Sequence, residues 1–388
     1  MLWVDKHRPR NLEKLVVHEK QGKHLKKLVS AGDCPHLLFY GPSGSGKKTL
    51  ALATLREIFG PGAEKLKTEH RTWQIKLPSR KVEVELATVS SNYHLELNPS
   101  EAGRKDVYVV QEVIKEMAKT KSSTSVFQES AQVNAISSQG GGGNAAGEGG
   151  GGGEKDKSQA RQKCTYKVLL INEVDRLTRH AQHALRRTME KYSKQCRLVM
   201  TCSNLSKVID PVQSRCVCVR VKSPREEEMK ALVHQVAKKE HLTLPDALAL
   251  RIAKESKRSI RRALLMLETC RVDRYPFNEN QEIQVPEWEL FIKDIAKDIL
   301  KEQTPKMLFQ VRGKLYELLI NCVPVDVVFK HLARELMCKL DDDLKYETIK
   351  AAAHFEHRLQ LGSKAIFHLE AFVAKFMSIY KQFLSSVY

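Results

Sequence analysis

Nine consecutive residues carry the clearest chemistry in the sequence: Gly41-Pro42-Ser43-Gly44-Ser45-Gly46-Lys47-Lys48-Thr49. Glycines at this spacing let backbone N–H groups turn inward and converge on a phosphate, and a following helix adds positive potential at its start. Lys47 stands where an ammonium reaches the outer phosphates. The next position normally supplies a Ser or Thr hydroxyl to Mg²⁺, but here it is Lys48. Shifting the register to make Thr49 the ligand fails, because glycine would then be needed at 42 and 47. Thr49 also points about 100° away around a helix of 3.6-residue period. An ammonium cannot coordinate a metal ion, although it can place charge beside a phosphate.

A second metal-holding position is expected as an aspartate at the end of a buried strand. The apolar run 167–171 leads instead into Asn172-Glu173-Val174-Asp175. Asn172 is a neutral amide where a carboxylate should orient the metal. Glu173 remains and is able to orient water. Two positions that serve magnesium have thus lost their usual chemistry while the cradle and Lys47 persist. The expected outcome is binding of ATP or ADP with weak or absent hydrolysis, and Mg²⁺ at this site is in doubt. The alternative is that another oxygen substitutes and hydrolysis proceeds.

Alternating strands and helices must position these groups. Residues 36–40 read as a buried strand entering the turn at Gly41-Pro42, and 49–59 as the helix after it. Further strands are expected at 167–171, 197–201 and 216–221, with helices at 107–119 and 178–192. This alternation predicts an α/β domain with a parallel sheet. After Lys222-Ser223-Pro224 helices dominate. Three short ones are expected at 225–239, 245–255 and 259–271, the first capped by Ser223 with Pro224 at its first position. Residues 273–286 read as a connection, and 288–388 are helical throughout. Between them, 122–163 is rich in Ser, Gly and Gln and holds ten of the chain's 20 glycines. So few apolar groups cannot offset ordering entropy, and this segment reads as a flexible insertion within a domain.

The chain has 388 residues, enough for two or three domains. Lys plus Arg number 65 against 46 Asp plus Glu, a formal charge of +19. Such a surplus points to a polyanionic partner, nucleic acid first; a solvated basic surface is the plainer reading. No apolar run of about 18 residues occurs, which excludes a membrane-spanning helix. The N-terminus does not resemble a signal peptide. Nine scattered cysteines without a C-x-x-C pair fit a reducing intracellular compartment better than disulfides or structural zinc.

Several motifs together resemble the AAA+ clamp-loader family, and within it the replication factor C small subunits. Trp3-Val4-Asp5-Lys6-His7-Arg8-Pro9 resembles the family's W-V-x-K-Y-R-P box, with His7 in place of tyrosine. Asn172-Glu173-Val174-Asp175 resembles the D-E-A-D box, and the stretch from Ala181 to Glu190 the helix after it. Ser214-Arg215-Cys216 matches the S-R-C signature, and Ile260-Arg261-Arg262-Ala263-Leu264 resembles the second sensor. Gly46-Lys47-Lys48 and the stretch from His357 to Ile366 are similar to one small subunit in particular. The resemblance covers the chain except the Gly-rich insertion.

It implies a RecA-like AAA+ nucleotide domain over 1–222, a helical lid over 223–275 and an all-α collar over 276–388. It implies four related subunits, the sliding clamp PCNA and primer–template DNA as partners, no membrane, and work in replication and repair in the nucleus. Val4, Arg8 and Pro9 would lie near adenine. Asn204 would be the first sensor and Arg261 the second. Arg215 would be an arginine finger reaching a neighbour's phosphate; without the family it reads as an exposed strand-end arginine. Lys115 and Arg179 are candidate DNA contacts, and Gln111 stands where related subunits commonly place an arginine. The stripe Ile366, Leu369, Phe372, Val373, Phe376 and Met377 fits a buried helix face as well as a subunit interface; only the resemblance favours an oligomer collar. A scaffold subunit with a purely structural nucleotide and no direct DNA role is the competing function. A self-sufficient helicase or kinase fits less well, given Lys48 and Asn172.

Overall fold

The computed structural model describes residues 1–30, 34–76, 81–119, 166–193 and 195–387; the segment 122–163 lies outside them. The chain divides into two compact units, Met1–Glu282 and Ile283–Tyr388.

Among the described residues of the first unit seven strands form one sheet: β1 (Leu37–Tyr40), β2 (Lys67–Lys76), β3 (Lys81–Ser90), β4 (His94–Leu97), β5 (Lys167–Ile171), β6 (Cys196–Cys202) and β7 (Val217–Arg220). Their order is β2-β3-β4-β5-β6-β1-β7. Strands β4, β5, β6, β1 and β7 are mutually parallel, as the alternating pattern predicts. The β2–β3 hairpin joins β4 antiparallel, so the sheet is mixed rather than wholly parallel. Lys81-Val82-Glu83-Val84-Glu85-Leu86 carries the reason. Glu83 and Glu85 are exposed while Val84 and Leu86 are buried, the period-two pattern of a sheet with one wet face.

The parallel strands are apolar on both faces because helices cover both. On one side Leu38, Leu169, Ile171, Leu198 and Met200 meet Val109, Val113, Ile114, Ala181 and Leu185, from helices Asp106–Lys119 and Arg179–Tyr192. On the other, Leu37, Phe39, Val168, Leu170 and Val199 meet Leu25, Leu50, Ala51 and Leu55, from helices Glu19–Ser30 and Lys47–Phe59. A buried carboxylate ties the first pair of helices: Asp106 accepts from the Thr178 N–H at 2.8 Å and the Thr178 hydroxyl at 3.1 Å. Thr178 Oγ1 in turn caps helix Arg179–Tyr192 by accepting from the Ala181 N–H.

Helices Glu226–Lys239, Asp246–Glu255 and Ile260–Asp273 complete the unit. The first does not begin as the sequence suggests. Arg225 is its N-cap, and the Glu228 carboxylate reaches back to the Arg225 N–H at 2.9 Å. Ser223 and Pro224 therefore lie upstream of the helix, because three successive glutamates already meet the positive helix start.

The second unit contains five helices among its described residues: Glu287–Lys301, Pro305–Ile320, Val325–Met337, Asp342–Leu361 and Ala365–Val387. Thr304 caps the second of these, with Pro305 at its first position. The stripe from Ile366 to Met377 is buried against Ile292, Leu315, Phe329 and Leu332. It is this unit's own core, which removes it as a subunit-contact surface.

Candidate functional site

The C-terminal ends of parallel strands are where an α/β sheet opens a crevice, and the predicted loop lies there. Gly41 follows β1 with φ +152°; a Cβ would sit 2.0 Å from the Val221 carbonyl oxygen. Gly44 has φ +77°, and a Cβ there would meet Ser259 Oγ at 2.0 Å. Only glycine fits either place. The loop can therefore approach the start of helix Ile260–Asp273, whose Ile260 N–H donates to the Gly44 carbonyl at 3.0 Å.

Lys47 Nζ donates to the carbonyls of Gly41 at 2.7 Å and Pro42 at 2.9 Å. Burial pulls this ammonium below its ordinary pKa; Cys202, Asp175 and Glu173 act against that, and Arg261 acts with it. A cation short of water and facing a second cation gains from an anionic ligand.

A cavity of about 680 Å³ opens over the loop. Ser43, Gly44, Ser45, Gly46, Lys47, Lys48 and Thr49 line it, with Asn172, Glu173 and Arg261. Val4, Arg8 and Pro9 form another part of the wall. They are fixed there by the N-terminal segment's hold on helix Ile260–Asp273 and on the end of helix Glu226–Lys239. The Trp3 N–H donates to Glu268 at 3.1 Å, and Glu240 binds both Lys6 at 2.6 Å and His7 at 2.5 Å. The Arg271 guanidinium lies over the buried Trp3 ring at 5.1 Å. Arg8 itself pairs with Asp5 at 2.7 Å.

Other predicted residues fall elsewhere. Gly41 and Pro42 contribute carbonyls to Lys47 rather than to the cavity wall. Asn204 is exposed and outside the lining, with its N–H 3.3 Å from Asp175; Thr201, Cys202 and Ser203 line the cavity instead. Arg215 is clear of this cavity. It is exposed, its Nη2 is 2.6 Å from Glu190 Oε1, and its Nη1 donates to the Pro211 carbonyl at 2.8 Å. Lys115 pairs with Glu112 at 2.9 Å, and Arg179 is exposed at the start of its helix.

Sequence reasoning missed three groups at the site. Glu96 on β4 is buried, ion-paired with Lys48 and bonded to the Asn172 amide at 2.7 Å. A carboxylate between two leucines of a short strand was the available signal. Thr201 at the end of β6 donates its hydroxyl to Asn172 Oδ1 at 3.2 Å. His18 lines the cavity, with Nε2 3.0 Å from the Ser45 carbonyl oxygen. Burial lowers its pKa, and since a carbonyl only accepts, Nε2 carries the ring proton. Glu173 adopts the left-handed conformation at φ +53° and pairs with Arg176 at 3.1 Å. A non-glycine residue held there stores strain of about 1–2 kcal/mol, a common feature of functional loops.

A strand running into a glycine-rich phosphate loop, within a mixed, mostly parallel sheet covered by helices, defines a P-loop nucleotide-binding fold. Residues 231–272 match the family described as "RCF1/5-like, AAA+ ATPase lid domain". Residues 288–384 match "Replication factor C subunit 3, C-terminal domain", and 154–225 match "DNA polymerase III, delta subunit". Replication factor C subunit 3 of Arabidopsis thaliana is 53% identical over 388 residues, covering 100% of both chains. Replication factor C subunit 5 of Oryza sativa is 52% identical with the same coverage. Replication factor C subunit 3 of Homo sapiens is 48% identical over 99% of this chain and 97% of its own. The chain belongs to the replication factor C family of clamp-loader subunits. That membership implies nucleotide binding and a place in a multi-subunit complex.

Proposed function

We propose that this chain is a nucleotide-holding, weakly or non-hydrolysing subunit of a heteropentameric clamp loader, and that it supplies Arg215 in trans to a neighbour's ATP. The observation that carries the reading is the separation of two features. The phosphate loop, Asn172 and Arg261 share one cavity, whereas Arg215 is exposed outside it. A guanidinium in that position serves a phosphate only if another protomer brings it. The relatives' names support assembly into replication factor C. Large exposed apolar side chains on the second unit, Phe309, Ile320 and Tyr346 among them, support a subunit contact there.

On this reading ATP or ADP lies in the cavity with its phosphates on the loop from Gly41 to Thr49 and Lys47. Val4, Arg8 and Pro9 face the base, and Arg261 acts as a sensor; Asn204 serves as the other only if its side chain, now outside the lining, turns toward the phosphates. The three-part division at 222 and 275 separates nucleotide domain, lid and collar. The assembly loads PCNA onto primer–template DNA in the nucleus, in replication and repair. Reconstitution with four related subunits and a loading assay on primed DNA tests the proposal; a complex that loads equally well without this chain contradicts it.

Phosphate tracking by helices Asp106–Lys119 and Arg179–Tyr192, through Lys115 and Arg179, is what the resemblance to clamp-loader subunits implies, and the charge of +19 agrees with a polyanionic partner. Such contacts position DNA without reading sequence. The log association constant of the assembled complex for primed DNA is then expected to fall by about 0.9 per phosphate contact for each tenfold rise in salt. Titration at several salt concentrations measures the slope, and a flat dependence counts against it.

A further inference from the structure

The two residues that depart from magnesium chemistry are joined by a third. The Lys48 ammonium pairs with Glu96 Oε1. Asn172 Nδ2 donates to the same oxygen at 2.7 Å, and Asn172 Oδ1 accepts from the Thr201 hydroxyl at 3.2 Å. The four residues come from the start of helix Lys47–Phe59, from β4, from the loop after β5 and from β6.

A carboxylate as buried as Glu96 demands hydrogen-bond donors, and the Lys48 ammonium and the Asn172 amide both meet its Oε1. A carboxylate only accepts, so the Asn172 amide must turn its NH2 toward Glu96, leaving its oxygen for Thr201. Aspartate at 172 would place a second carboxylate against Glu96, and a hydroxyl at 48 would remove the cation between them. The resulting pair of negative charges is relieved by a divalent ion or by a proton shared between the carboxylates. With Lys48 and Asn172 in place the cluster sums to zero and offers no anionic donor set. These four residues, which include both usual magnesium-holding positions, therefore do not fit Mg²⁺. Lys48 also lines the cavity beside the phosphate loop.

We propose that the Lys48–Glu96–Asn172 network installs a resident ammonium in place of the divalent ion, so that this cavity binds a nucleoside polyphosphate without magnesium. Glu96 is the positioning residue, since it fixes the ammonium at the loop. The inference rests on the reading of the cavity as a nucleotide site.

Calorimetric titration of the purified full chain with ADP, in excess magnesium and in excess EDTA, tests it. The two affinities are expected to agree within about twofold. The combined change Lys48→Met and Glu96→Gln keeps the side-chain volumes and leaves no buried charge unpaired. It is expected to weaken ADP binding about tenfold or more in both conditions, with an unaltered melting temperature. Lys48→Thr with Asn172→Asp is expected to make binding depend on magnesium by about tenfold or more. Wild-type affinity that collapses in EDTA, or unchanged affinity after removal of both charges, overturns the inference while leaving the nucleotide site standing. Failure to bind ADP in either condition overturns the nucleotide reading and this inference with it.

Discussion

Arg215→Ala in the reconstituted complex is expected to slow hydrolysis at the adjoining protomer's site by about 10³-fold or more, the range of a finger supplied in trans. The guanidinium is free to serve in that way. Its bonds to Glu190 and Pro211 are at the surface, and exposed ion pairs hold typically only about 0–1 kcal/mol. A neighbour's phosphate, carrying more charge and accepting a bidentate fork, competes easily. For the same reason the substitution leaves the fold intact. It also leaves this chain's own nucleotide affinity within about twofold, because Arg215 does not line the cavity. Arg215→Lys keeps the charge but loses the planar fork and should recover only part of the rate. Single-turnover hydrolysis with clamp and primed DNA reads the effect; undiminished turnover after Arg215→Ala removes the finger from the account.

Phe372→Ala is expected to lower the opening free energy of amides in helix Ala365–Val387 by about 3–5 kcal/mol, the usual cost of a large cavity in a packed core. Phe372 has no exposed surface, and its ring centroid lies 4.8 Å from that of Phe329 and 6.4 Å from that of Phe355. Native-state hydrogen exchange on the full chain resolves the two units separately. Amides of β1 and β6 should keep their protection. A fall below about 1 kcal/mol would mean that the Phe372 site collapses or is not core.

The phosphate loop, β1, β5, β6 and the helices between them were legible because each is announced locally. A glycine spacing, an apolar run and a 3.6-residue period need no knowledge of distant partners. The β2–β3 hairpin was equally legible in the alternation of Lys81 to Leu86, yet it carries no chemistry that draws the eye. The start of helix Glu226–Lys239 was misplaced because Ser-Pro is a strong start signal, while the Glu228 return to Arg225 is stronger in context. Glu96 could be seen as an odd carboxylate in a strand, but its meeting with Lys48 and Asn172 could not. Residues 48, 96 and 172 are brought together only by the order of strands in the sheet. The grip of Glu240 on His7, between the ends of two helices far apart in the sequence, was equally out of reach of local signals. The stripe in the last helix illustrates the opposite limit. Its periodicity established a buried face but not whether the burying surface belonged to the same chain.

Turnover by the purified full chain, compared with its Lys47→Ala variant, tests the central claim most directly. Loss of a charged hydrogen-bond donor to phosphate should weaken nucleotide binding by about 1.5–3 kcal/mol. The account predicts that the wild-type chain retains ATP or ADP, that Lys47→Ala releases it, and that ATP turnover is at background in both. Robust hydrolysis by the wild-type chain that disappears with Lys47→Ala would contradict it.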